Sequence, residues 1–155
     1  MREHKSNYPV VCLCGSTKFK DDFIEAYEEL SKRGCIVLTV GMFGHADNRY
    51  EKDLTEEVKI TLDVMHFEKI LMSDAVLIIN KDGYVGYSTK REIEFANHYN
   101  IPVLNLYEEI YTSTFVPKSY NSDTVDESFD NNFTYRYEKY DMDKLFNRIK
   151  SRIIK

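Results

Sequence analysis

The chain has 155 residues, 43% apolar and 30% charged, which is ordinary globular usage and enough to bury a core within one domain. A formal net charge of −5 argues against a general nucleic-acid or anionic-membrane surface, though a local pocket can still take a small phosphorylated ligand. No apolar run reaches the length needed to span a bilayer.

Residues 1–7 form a short polar lead, expected to be flexible. Tyr8 to Cys14 reads as a strand, broken by Gly15-Ser16-Thr17. From Lys18 onward, Phe19, Phe23, Ala26, Tyr27 and Leu30 recur at helical spacing until Gly34. A Gly-Ser turn at the start of a helix offers backbone N–H groups to an anion, and Lys18 could add charge. The three cysteines, Cys12, Cys14 and Cys35, lie in apolar strand-like runs. With no leader segment, they read as reduced core thiols of a cytoplasmic protein. Cys12-Leu-Cys14 lacks redox-pair spacing, and no second cysteine or histidine pair completes a zinc site. Nothing calls for a metal or other cofactor.

Cys35 to Val40 is the second strand. The loop after it carries Gly41, Phe43, Gly44 and His45, which could line a pocket at the same sheet edge. A helix is expected over Lys52 to Met72, with Leu54, Val58, Leu62 and Met65 as its apolar stripe. Asp63 and His66, three apart, share a face of it.

Ala75 to Ile79 is a continuous apolar run, the pattern of a strand buried on both faces. Asp82 to Gly86 is turn chemistry with two glycines, Gly83 and Gly86, flanking Tyr84. Ser88 or Thr89 is expected to cap the next helix, with Glu92 completing a capping box in the first turn. Ile101 to Leu106 is a further strand. Alternation of strands and helices predicts an α/β fold: a flavodoxin- or Rossmann-like open parallel sheet of four or five strands, helices on both faces, and a pocket between the first and third strands. Residues 107–132 read as an irregular acidic loop, followed by a terminal strand and an amphipathic helix in 133–155. The whole is expected to be one domain.

The motifs in order resemble the nucleoside 2-deoxyribosyltransferase superfamily. They are Cys12-Leu-Cys-Gly15-Ser16-Thr17-Lys18, Ser73-Asp74 before an apolar strand, Ser88-Thr89-Lys-Arg-Glu92-Ile-Glu-Phe-Ala96, and Ile101-Pro102-Val103. The likeness covers about residues 9 to 106. The Gly15-Ser16 form is most similar to the 2′-deoxynucleoside 5′-monophosphate N-glycosidase branch. The runs Gly41 to His45, Leu62-Asp63 with His66, and Gly83 to Ile93 also resemble an uncharacterised bacterial and phage subgroup.

The resemblance implies Glu92 as nucleophile at C1′ of a sugar, its ionised form favoured by the helix N-terminus. It implies that Gly15, Ser16, Lys18, Gly86 and Ser88 hold a 5′-phosphate. Phe43, His45, Gly83, Tyr84 and Thr89 are the remaining candidate contacts. The family's aspartate that assists the leaving base falls at His66, a possible general acid with Asp63 as its orienter. The implied partner is a small nucleotide or nucleoside, not a nucleic acid polymer or a membrane. A homodimer or larger assembly is implied, with 107–132 as a candidate donor to a neighbouring site. A deoxyribosyltransferase on free nucleosides, a non-catalytic nucleotide-binding protein and an NAD-type substrate stay open as alternatives.

Overall fold

A computed structural model describes residues 6–41, 55–113 and 133–153. Four apolar runs become parallel strands: β1 Val10–Gly15, β2 Ile36–Leu38, β3 Ala75–Ile79 and β4 Val103–Asn105. Their order is β2-β1-β3-β4, an open α/β sheet of the Rossmann or flavodoxin kind with four strands. Every residue of β3 is buried, which is why its run carries no polar alternation.

Alternate residues of the two central strands serve opposite faces. Val11, Leu13, Leu77 and Ile79 pack with Phe23, Ala26 and Leu30 of α1 (Lys20–Lys32) and with Leu145 and Ile149 of α4 (Met142–Ile153). Cys12, Cys14, Val76 and Ile78 pack with Ile70 of α2 (Glu56–Leu71) and Ala96 of α3 (Tyr87–His98). Helices thus cover both faces.

Asp74 joins the two central strands at their start. Its Oδ2 accepts from the Val10 N–H at 2.8 Å, and its own N–H donates to the Val10 carbonyl at 2.7 Å. Gly34, with φ +88°, follows α1 in the left-handed conformation that ends helices cheaply. Asp141 caps α4, its Oδ1 accepting from the N–H groups of Asp143 and Lys144. Among the described residues no helix is long and apolar enough to cross a membrane.

Two expectations are corrected. The stripe Val58, Leu62 and Met65 is not the buried face of α2; Val58 and Met65 are exposed, and His66 and Ile70 are the buried positions. Apolar residues run round this helix, Ile60 and Val64 included, so periodicity could not choose a face. The second concerns residues 107–113, expected to be part of an irregular loop. Tyr107–Ser113 is a strand, β5, paired antiparallel with β6 (Phe133–Lys139) in a separate two-stranded sheet. Leu54 and residues 114–132 lie outside the described residues.

Asn80, at the end of β3, holds this second sheet. Its amide donates to the Tyr107 carbonyl at 3.1 Å, and its Oδ1 accepts from the Tyr107 N–H at 2.8 Å. Asn80→Ala leaves two backbone groups without these partners. It is expected to lower unfolding free energy by about 2 kcal/mol, read from urea titration. A change below a few tenths would mean that water replaces the amide at no cost.

Candidate functional site

The carboxyl ends of β1 and β3 lie where the strand order reverses, the place where open parallel sheets bind ligands. A cavity of about 500 Å³ opens there. The β1 loop contributes Gly15, Ser16 and Thr17 to its lining. Helix α2 contributes Lys59, Asp63, His66 and Lys69. The turn before α3 and its first two turns contribute Tyr84, Gly86, Tyr87, Ser88, Thr89, Arg91 and Glu92.

Gly15 permits the floor of this cavity. A Cβ there would stand 2.8 Å from the Ile79 carbonyl oxygen and 3.0 Å from the Ile79 Cβ. The end of β1 therefore lies this close against β3 only because the residue has no side chain. Ser16 leads into a short 3-10 turn, Thr17–Phe19, with its Oγ accepting from the Lys18 N–H at 3.4 Å.

The start of α3 differs from expectation. Gly86 is the N-cap, extended at ψ 175°, and no side chain caps the helix. Glycine is itself an acceptable N-cap, so the helix begins before Ser88. Ser88 and Thr89 then fall in the first turn, and Glu92 falls in the second. Ser88 and Glu92, four apart, share the face that lines the cavity.

Glu92 therefore lies beyond the strongest pull of the free N–H groups, and burial decides its charge instead. Burial pushes its carboxyl up to about 7, against the opposing pull of the His66 charge. This reverses the expected preference for the ionised form. Its Oε2 lies 3.2 Å from His66 Nε2. The same nitrogen is 3.3 Å from Cys14 Sγ and 3.8 Å from Cys12 Sγ. Burial alone would lower the His66 pKa, but the Cys12 sulfur and the Glu92 charge outweigh it and raise it. The Cys14 hydrogen bond is the largest influence on Cys12, which is lowered to about 6 with help from His66. Cys14 is raised in turn by its bond to Cys12 and by burial.

Glu92 gives a pH test with a definite sign. Its folded pKa of about 7 stands above the ordinary 4.5. The folded state thus keeps a proton that the unfolded chain has already released. The stability this confers is present below pH 4.5 and is lost as pH rises through about 7. Glu92→Gln cannot ionise. Between pH 5 and pH 8 its stability should rise against wild type by on the order of 2–3 kcal/mol, or roughly 5–10 °C in Tm. Thermal melts in EDTA buffer read this; a difference independent of pH would contradict it.

Of the sequence candidates, Gly15, Ser16, Asp63, His66, Tyr84, Gly86, Ser88, Thr89 and Glu92 all line the one cavity. Lys18 and Gly83 do not. Lys18 is exposed, with its Nζ 3.4 Å from the centre of the Tyr84 ring in a cation–π contact. Gly83, at φ +78°, makes a turn against Tyr137, whose ring lies 2.4 Å from where a Cβ would stand. Phe43 and His45 lie outside the described residues. Asp63 is exposed on the cavity wall, and the close partners of His66 are Glu92 and the two thiols, not Asp63. The exposed cations Lys59 and Arg91 were not anticipated, since a lone charge on a helix carries no sequence signal. Apolar pattern alone makes the thiols plain core, although their i, i+2 spacing on a strand places them on one face.

No model of a known protein family matches the chain, and no curated protein matches it significantly in sequence.

Proposed function

We propose that the chain is an N-glycosidase that cleaves the base–sugar bond of a (deoxy)nucleoside 5′-monophosphate. The observation that carries this reading is one carboxylate. Glu92 is mostly buried on the wall of a cavity of about 500 Å³, beside His66, in a hollow that the Gly15-Ser16 turn also lines. That volume falls within the range of small-molecule sites, about 300–1,000 Å³. The motif resemblance supplies the reaction class.

In this reading a Glu92 oxygen attacks C1′, and the base leaves with the bonding pair and takes up a proton. That proton comes from water, and Asp63, on the cavity wall one turn from His66, is placed to hydrogen-bond the base. His66 has its Nε2 turned to Glu92, so it acts as a positioning residue and not as the acid for the base. Water then attacks C1′ of the glycosyl ester, releasing sugar phosphate and freeing the carboxylate.

Three features favour a phosphorylated substrate over a free nucleoside. No side chain caps the first-turn N–H groups of α3. Two hydroxyl residues, Ser16 and Ser88, line the cavity, and so do the cations Lys59 and Arg91. Comparing a nucleoside with its 5′-monophosphate tests this. The monophosphate should release base at least about 100-fold more efficiently, as loss of charge-assisted phosphate contacts implies. Equal rates, with exchange onto an added base, would favour the transferase alternative instead.

The homodimer belongs to the same reading. Ile60 and Val64 leave an exposed apolar strip on α2, beside the cavity, that would suit a second copy. Light scattering at twice the 18.3 kDa chain mass is the expected result.

A further inference from the structure

The side chains under the cavity pose a bonding problem that base release leaves unused. Cys12 and Cys14 are fully buried on β1, and their thiols point to one face of the sheet. Helix α2 brings His66 against them. Three atoms converge on its Nε2: Cys14 Sγ at 3.3 Å, Cys12 Sγ at 3.8 Å and Glu92 Oε2 at 3.2 Å. A ring nitrogen has one N–H or one lone pair. It cannot form three full hydrogen bonds. Cys12 Sγ also has the Leu13 carbonyl at 3.8 Å and Cys14 has the Glu92 carboxyl, but a cation would engage both sulfurs and the imidazole at once.

The spacing suits such an ion. With zinc–sulfur bonds of about 2.3 Å and zinc–nitrogen bonds of about 2.0 Å, tetrahedral geometry sets sulfur and nitrogen about 3.5 Å apart. The two observed separations bracket that value. The donor atoms of Cys12, Cys14 and His66 all lie within 4.8 Å of one another. Two sulfurs and an imidazole select zinc or another thiophilic ion over magnesium or calcium. His66 and Glu92 also line the cavity, so an ion from solvent has a way in.

We propose that Cys12, Cys14 and His66 form a zinc-class metal site, closed on the cavity side by Glu92 as fourth ligand. The two thiol protons pass to solvent as the sulfurs bind. Inactivation by the ion rests on Glu92 being the nucleophile: a lone pair given to zinc cannot attack carbon. Binding itself does not depend on that role.

The full chain, stripped with a chelator, is titrated with zinc against a chromogenic indicator, and separately with cobalt(II). One zinc per chain and a thiolate-to-cobalt charge-transfer band are expected. Both should persist in Cys35→Ser, whose thiol packs on the opposite face of the sheet, and both should be lost in the Cys12→Ser/Cys14→Ser double variant. Should that variant fail to fold, the cobalt spectrum of folded wild type decides alone. A wild type that binds no zinc, or shows no thiolate band, overturns the site and leaves a thiol–imidazole hydrogen-bond cluster only. Base release in the same samples separates the two proposals. Zinc bound with no release, chelator present or absent, upholds the metal site and defeats the glycosidase. Release unchanged by one bound zinc defeats Glu92 as fourth ligand.

Discussion

Glu92→Gln is expected to reduce base release from the preferred monophosphate by at least about 1,000-fold, because the attacking oxygen is lost while the shape of the site is kept. The amide has nearly the size of the acid and still faces His66. Monophosphate binding, read by thermal shift, should therefore survive. Loss of binding together with rate would instead describe a collapsed pocket. The wild-type pH profile supplies a second arm. The nucleophile must be ionised, and burial holds Glu92 protonated up to about 7. Release in chelator-treated buffer should rise from pH 5 to pH 8 with a midpoint near 7, and a flat profile would remove Glu92 from the reacting step.

Gly15→Ala is expected to cost about 2–4 kcal/mol in urea titration. The added Cβ would lie 2.8 Å from the Ile79 carbonyl oxygen, a backbone atom of the neighbouring strand. Gly15 and Ile79 are register partners at the end of the β1–β3 ladder, so neither strand can yield without shifting the cavity floor. Gly86→Ala is the contrasting case. Its nearest neighbour would be the Tyr84 hydroxyl at 3.4 Å, the far end of a side chain that can swing. That change should cost less than about 1 kcal/mol. Similar losses at both glycines would mean that the close approach at Ile79 is not what demands glycine.

The sheet was legible because its signals are local. Ala75 to Ile79 is buried on both faces, and such a strand has to read as an unbroken apolar run. The places of Gly15 and Ser16 on the cavity were legible for a related reason, since they stand where strand passes through loop to helix, whereas Glu92 was marked by the motif resemblance. The facing of α2 was not legible, because Ile60, Val64 and Met65 are apolar yet exposed, while buried His66 is spent on the β1 thiols. Strand β5 escaped notice because its partner, β6, lies beyond residues 114–132, and no local period marks such a pairing. The charge of Glu92 was not legible, because proximity to a helix end shows in sequence and burial does not. The contact between Cys14 and His66 joins residues 52 apart, and only the fold reveals it.

The central claim is that Glu92 attacks the sugar. Acid-quenching the metal-free protein during turnover of its monophosphate, then weighing the peptide that carries Glu92, tests it most directly. The predicted result is a peptide heavier by one sugar phosphate less water, present in wild type and absent in Glu92→Gln. Free base accumulating in solution while that peptide never gains mass, and Glu92→Gln releasing base as fast as wild type, would contradict it.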